Sequence, residues 1–336
     1  AAAEAAAREL SRFDAEAGNG APALRPLLVH AEAAVSSRID DVVASASAIG
    51  TAGLGGRAGR AAELVVANAH ALAASDGVST AAIARAHATL MADEPRHTPG
   101  RWRSQPTWIG PRSDSPVGAE YVPPYPTRVP ALMDDLVAFA RRTDVSPLVS
   151  TAIAHAQFET VHPFSAGNGR VGRAFVHAML TARGVTRDVV APLSAGLLVD
   201  RPVYLDALEA YRAGDVSPIV AVFADAAHHA IANARLLVDD VARVRAAWSE
   251  HLTARRSSNA WALLDVLVRH PVLDSATAAT ALGVQQPNVY PPLQALVDAG
   301  VLTPKADHRQ GPFWHATDLL AAIDRFAARA ASGETA

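Results

Sequence analysis

The sequence predicts an all-α protein with one small β-hairpin arm and a second β-hairpin near its C-terminus. Three observations predict this. Apolar residues recur at helical spacing through most of the chain. Alanine, the strongest helix former, is abundant throughout. Strand-like alternation is confined to one stretch rich in Pro, Gly and aromatics and to the last quarter. The 336 residues are half hydrophobic, enough for a large core and for more than one domain.

The elements follow in order. Residues 1–17 read as helix, which "GNGAPALRP" (18–26) breaks. Residues 27–49 read as one helix, and 61–74 and 79–92 as two more after the turn at 53–60. Residues 97–130 carry repeated proline, which excludes a helix interior. Within them the alternation from Trp102 to Ile109 predicts a hairpin arm, and a connection of this length implies a function. Residues 131–247 are helical again. Ser146 is placed as the N-cap of a helix over 146–161, with Pro147 in its first turn. A helix over 169–184 closes at Gly184, and helices over 201–215 and 217–248 complete a bundle. After the polar joint 254–259, the order helix, helix, turn, helix, hairpin is that of a winged helix-turn-helix. The expected segments are 1–96, a core at 97–250 with its arm at 97–130, and 256–330.

Composition narrows the function. Net charge is −3, so no global basic field draws the chain to nucleic acid or an acidic membrane. Without cysteine there are no disulfides or thiolate metal sites, which fits a reducing, cytoplasmic setting. No apolar run reaches the roughly 20 residues a membrane helix needs, and no signal-peptide pattern opens the chain.

One stretch carries chemistry: "HPFSAGNGRVGR", residues 162–173. It lies between two predicted helices, so the free N–H groups and positive dipole end of the second face the loop. Gly167 and Gly169 let backbone approach a ligand, and consecutive N–H groups form an anion nest. Arg170 and Arg173 share one helix face. Two cations near a helix N-terminus are unfavourable unless an anion neutralises them. Asn168 adds donors, and His162 has a pKa suited to taking a proton from a hydroxyl.

These residues resemble the defining pattern of the Fic family, HxFx(D/E)GNGRxxR, through His162, Phe164, Gly167, Asn168, Gly169, Arg170 and Arg173. The likeness continues in "AHAQFETVHPF", "SQPTWIGP", "YVPPYPTRVPALMDDL" and "YLDALEAYRAGD". "RPLLVHAEAAVSSRID" resembles the N-terminal segment of the class that carries an inhibitory helix, and a winged helix is a frequent companion there. The resemblance implies an all-α Fic-type core and transfer of AMP from ATP to a hydroxyl of a protein target or of the chain itself. It implies His162 as general base, with Asn168 and Arg170 completing the catalytic set. Gly167, Asn168, Gly169 and Arg170 would hold the α- and β-phosphates and Arg173 the γ-phosphate, with Tyr204 as a wall of the nucleotide pocket. Gln105, Thr107 and Trp108 of the flap would take the target as an added strand.

Two departures matter. Ala166 fills the slot of the acid that holds Mg²⁺ against the phosphates, and it offers no ligand. Three consequences stand open: slow transfer with Mg²⁺ or Mn²⁺ held by phosphates and water, a donor other than ATP, or a regulatory protein that binds nucleotide without turnover. In the inhibitory pattern (S/T)xxxE(G/N), Ser36 aligns with the start, and Asp40 stands where the glutamate pairs with the second arginine. Asp is one methylene shorter, which changes the reach to Arg173.

The remaining candidates read as structure. His155, His177, His228 and His229 lack carboxylates at ligand spacing, and Met133 and Met179 read as core. Trp102 and Trp108 are packing anchors or target contacts. From Arg255 onward seven basic and seven acidic residues cancel, so the phosphate-neutralising charge that DNA binding needs is missing. That segment reads as a docking or homodimerisation module, with DNA the disfavoured partner.

Overall fold

A computed structural model describes residues 1–18, 24–94, 96–110, 112, 115–306 and 311–333. Fifteen α-helices are named among them. The first five are α1 (Ala2–Gly18), α2 (Leu24–Ile39), α3 (Ala46–Gly53), α4 (Arg60–Ala73) and α5 (Thr80–Leu90). The middle of the chain forms α6 (Val129–Ala140), α7 (Pro147–Val161), α8 (Asn168–Ala182), α9 (Leu193–Val199), α10 (Arg201–Arg212) and α11 (Ser217–His251). The last part forms α12 (Asn259–Arg269), β1 (Val272–Leu273), α13 (Ser275–Leu282), α14 (Tyr290–Asp298), β2 (Thr303–Lys305), β3 (Phe313–His315) and α15 (Thr317–Ser332). The chain divides into two compact units, one of residues 1–12, 67–187 and 196–229, the other of 13–66, 188–195 and 230–336.

In the first unit α7 packs against α6, α8 and α10, and α5 packs against α8. Their shared core holds Met133, Phe158, Phe164, Phe175 and Met179, each at most 2% exposed. Burying a side chain of this kind contributes about 1.5–3 kcal/mol, so the α7–α8 pair and the loop joining them are anchored from both sides. Gly172 lets the two helices approach closely, since a Cβ there would meet the Glu159 carboxylate at 2.7 Å and the Phe158 ring at 2.9 Å. Ser79 and Asp200 cap α5 and α10 through their side chains. Ser146 holds the N-cap position of α7 but makes no side-chain cap bond. The cap expected of it is therefore absent, and Pro147 alone sets the start of the helix.

The arm is barely a hairpin. Among the described residues between Trp102 and Tyr121 there is one bridge, Ile109 to Tyr121, and no longer strand. Pro106 lacks an N–H, which keeps the alternating run from laddering.

In the second unit α2 packs against α12 and α15, and α3 against α15 and β1. The single helix expected over 27–49 is two helices. Asp41 takes a left-handed conformation at φ 60°, and both Asp40 and Val42 donate their N–H to the Ser37 carbonyl, ending α2. Asp tolerates that conformation better than most residues. Glu32 on α2 is 1% exposed; it accepts hydrogen bonds from the backbone N–H and hydroxyl of Ser194. The three strands form one antiparallel sheet in the order β1-β3-β2. The helix expected after the turn in the C-terminal segment starts with a 3₁₀ turn at Gln286–Val289. Pro291 and Pro292 then fall in the first turn of α14, where a missing N–H costs nothing.

Candidate active site

The loop between α7 and α8 is built around His162. This residue is the C-cap of α7 and is left-handed, with φ 47°. Its N–H donates to the Phe158 carbonyl. Its own carbonyl accepts from Nε of Arg103 at 2.8 Å, and the Arg103 N–H donates to the Pro163 carbonyl. The same guanidinium also reaches the carbonyls of Val161 and Pro124. Arg103 is 6% exposed. It thus closes the end of α7 with a buried cation, satisfying carbonyls the helix leaves open.

Asn168 folds the rest of the loop. It is 2% exposed; its Oδ1 accepts from the Phe164 N–H and its Nδ2 donates to the Phe164 carbonyl, both at 2.9 Å. Asn168 was expected to aim its amide at a ligand. Instead the amide clasps the loop, leaving only the second N–H of Nδ2 for anything else. Gly167 is the left-handed N-cap of α8 at φ 75°. A Cβ there would meet Leu90 at 2.9 Å, so glycine is required by both conformation and space. The backbone N–H groups of Gly167, Asn168 and Gly169, at the start of α8, donate to no described residue. Arg170 follows in the first turn of α8, and Arg173, 3% exposed, lies one turn further on.

Four side chains that the sequence does not single out surround this loop and the end of α7: His87, His97, Tyr121 and Arg212. His87 stacks on Phe164 at 3.7 Å between ring centroids. The Gly100 N–H donates to its Nδ1, so the ring proton sits on Nε2 and donates to the Ala166 carbonyl at 3.2 Å. Burial lowers the pKa of His87 to about 4, which keeps that tautomer neutral. His97 hydrogen-bonds Ser165 through Nδ1 at 3.0 Å. Arg212 lies over the Tyr121 ring at 4.1 Å, and Tyr121 donates its hydroxyl proton to the Thr160 carbonyl. His87 had one available signal: it shares the buried stripe of α5 with Ile83 and Leu90. Nothing in the sequence distinguishes Arg103 from its neighbour Arg101.

The surroundings tune His162. Burial, then the nearby charges of Arg103 and Arg212, lower its pKa to about 4, against a small opposing effect of the Glu159 carbonyl. His162 is therefore a neutral imidazole at neutral pH, the form that accepts a proton.

Ala166 is half-buried and packs against the core formed by Leu90, Met91 and Phe164. It contributes only a methyl. Among the described residues no group of three or more His, Asp or Glu could hold a metal ion. The residues at this loop therefore do not fit a metal held by protein ligands. Tyr204, expected as a wall of the nucleotide pocket, is 2% exposed. Its hydroxyl meets Nε2 of His155 at 2.7 Å, inside the bundle between α7 and α10. Ser36 is buried on α2, and Asp40 is exposed in the turn after it. Gln105, Thr107 and Trp108 come together on one groove of about 1270 Å³ that also reaches Ser165 of the loop. Trp102 packs on Phe164 at 4.9 Å. Trp108 donates its indole N–H to the Arg112 carbonyl.

The structure thus brings a histidine held neutral next to a glycine-rich helix N-terminus, with two arginines on that helix. Residues 77–180 match the Fic/DOC family. It is 41% identical over 69 residues to a probable protein adenylyltransferase of Aquifex aeolicus, covering 20% of this chain and 22% of that protein. It is 30% identical over 117 residues to a protein adenylyltransferase Fic of Aedes aegypti, covering 34% of this chain and 22% of that one. The chain thus spans about a fifth of the length of these curated relatives. The fold is similar to a crystal structure of a Fic family protein from Desulfovibrio desulfuricans, with a TM-score of 0.59 and 21% identity, covering 94% of this chain and 95% of that one. No helix among the described residues is long and apolar enough to cross a membrane.

Proposed function

We propose that this chain is a protein adenylyltransferase that transfers AMP from ATP to a hydroxyl side chain of another protein or of itself. The observation that carries the reading is the loop after α7. It pairs the neutral, backbone-clamped His162 with unpaired amides at Gly167, Asn168 and Gly169. The two adenylyltransferase relatives point to the same chemistry. The target hydroxyl oxygen attacks the α-phosphorus, and the bond from that phosphorus to the bridging oxygen breaks. Pyrophosphate leaves, and the hydroxyl proton passes to His162. Nδ1 of His162 is buried, so Nε2 is the nitrogen that takes it. The loop amides and Arg170 receive the α- and β-phosphate charge and Arg173 the γ-phosphate, so the chain contributes mainly position and charge stabilisation. Mg²⁺ or Mn²⁺ would arrive with the nucleotide, held by phosphates and water, since Ala166 offers no ligand. The assay is transfer of label from α-labelled ATP to the chain and to lysate proteins, with each metal. A preparation that binds ATP and transfers nothing would instead fit a regulatory nucleotide-binding protein.

The Ala166 slot makes a direct prediction. Ala166→Asp should raise label transfer about ten-fold and make it depend more steeply on Mg²⁺, because a carboxylate there would fix the ion against the phosphates. A fall in transfer would mean the site is tuned to another donor.

Autoinhibition belongs to the same proposal. It is supported by the spacing of Ser36 and Asp40 and by the place of Asp40, exposed directly after α2. Asp40→Gly should raise self-labelling about ten-fold while leaving the melting temperature nearly unchanged, since exposed positions contribute little to stability. Equal self-labelling by the two proteins would remove the inhibitory role. The order α12, α13, α14, β2, β3 supports a winged-helix reading of the C-terminal segment. Its charge balance favours docking or dimerisation over DNA.

A further inference from the structure

His87 holds a place at the loop that the transfer chemistry leaves unused. Its side chain is fully buried on α5. The ring stacks on Phe164, the two planes 4° from parallel. Its Nδ1 accepts the Gly100 N–H at 2.9 Å, and its Nε2 meets the Ala166 carbonyl oxygen at 3.2 Å. Gly100 is seated tightly against α5: a Cβ there would come within 3.1 Å of the Ala84 carbonyl oxygen. With Nδ1 committed as an acceptor, the single proton of the neutral ring lies on Nε2, and the Ala166 carbonyl receives it. A buried imidazole beside Ile83 and Leu90 costs more than an apolar side chain of similar size, so the bonds it makes call for an explanation.

The bond to Ala166 decides which way a peptide faces. The Ala166–Gly167 bond is trans, and in a trans peptide the C=O and the N–H point in opposite directions. A carbonyl held toward α5 therefore turns the Gly167 N–H away from α5. That N–H donates to no described residue, and neither do those of Asn168 and Gly169, which open α8. The backbone alone does not enforce this orientation. Gly167 is left-handed at φ 75°, and glycine takes either sign of φ readily, so the Ala166–Gly167 plane is free to rotate. After such a rotation the carbonyl would stand where the N–H stood and would repel an anion. The Nε2–H of His87 would then be buried without its acceptor, which is unfavourable.

We propose that His87 is a positioning residue for phosphate binding: by holding the Ala166 carbonyl it keeps the Gly167 amide turned toward the phosphates of the donor. It acts through the peptide and touches neither the donor nor the target. This rests on the phosphate-holding role given above to the loop amides. His97 binds the same loop, but through the Ser165 side chain, which leaves the direction of the next peptide unset.

The test is calorimetry on the full chain at neutral pH with three probes: ATP, inorganic tripolyphosphate and adenosine. His87→Phe keeps the stack on Phe164 and removes both hydrogen bonds; His87→Gln keeps a side-chain donor for the Ala166 carbonyl. His87→Phe should bind ATP and tripolyphosphate about ten-fold more weakly, the size of one hydrogen bond to a charged group, with adenosine unchanged. His87→Gln should stay within about three-fold of the parent for all three. Unchanged tripolyphosphate binding in His87→Phe, an equal loss of adenosine, or His87→Gln as weak as His87→Phe overturns the proposal. Should His87→Phe fail to fold, the ring nitrogens of the unmodified chain decide. Nitrogen NMR of histidine-labelled protein, with His87 assigned by its absence from His87→Gln, should show Nε2 protonated and shifted by tripolyphosphate. A proton on Nδ1, or no shift, overturns the proposal equally. An unmodified chain that binds neither ATP nor tripolyphosphate sinks this proposal and the transferase reading together. Binding that separates the variants as expected, without label from α-labelled ATP, sinks the transferase reading alone.

Discussion

Substitution of His162 by alanine is expected to lower label transfer from α-labelled ATP by about 10²–10⁴-fold, the usual contribution of a positioned general base. Nucleotide binding should survive, because the loop amides and the α8 arginines remain. His162 is left-handed at φ 47°, where alanine is strained. His162→Asn is the better control: asparagine tolerates that conformation, fills part of the same space and cannot act as the base. Both variants should lose transfer, and Asn should keep more of the native melting temperature. The pH profile gives an independent readout. Burial and the charges of Arg103 and Arg212 set the pKa of His162 near 4, below the ordinary 6.5. Only about one molecule in a thousand is then protonated at neutral pH. The acid limb of kcat/KM, which reports the free enzyme, should fall near pH 4. Transfer that persists in His162→Asn, or an acid limb near 6.5 in the unmodified chain, would take the base role away from this residue.

Gly196→Ala is expected to be the most damaging single added methyl in the first unit. A Cβ at this position of α9 would lie 1.9 Å from the Ala226 carbonyl oxygen and 2.5 Å from the Ala226 Cα. Both are backbone atoms of α11, so no side-chain rotation relieves the contact and one helix must move. Overpacking costs about 1–3 kcal/mol when side chains can adjust; here the cost should exceed about 3 kcal/mol, lowering the melting temperature by roughly 5–10 °C. Gly53→Ala in α3 is the matched control. Its added Cβ would have only Val66 near, at 4.0 Å, and it should melt within about a degree of the parent, helped by the better helix propensity of alanine. Similar melting of the two variants would mean that α9 and α11 do not pack closely enough at Gly196 to exclude a methyl.

Local chemistry determined much of this protein. Apolar periodicity and alanine content were enough to place α7, α8 and α11 and the proline-rich flap within a few residues. Gly167 and Gly169 flanking Asn168, with arginines at helical spacing, were enough to place a glycine-rich turn at the start of α8. These signals are short-range, so they are written in consecutive residues. What the sequence misread depends on distance. The helix expected over 27–49 breaks because Asp41 turns left-handed, a choice periodicity does not record. Asn168 reads as a ligand donor, but its amide is spent on Phe164 four residues earlier. Tyr204 meets His155, 49 residues away, a pairing that no local pattern records. Arg103, 59 residues before His162, fixes the carbonyl of the base, and His87 holds Ala166 across 79 residues. The sequence alone determined the main helices and the loop between α7 and α8 on which the candidate site residues lie. Only the tertiary structure decided which buried polar groups satisfy one another, because a desolvated carbonyl or imidazole must find a partner wherever the packed chain brings one.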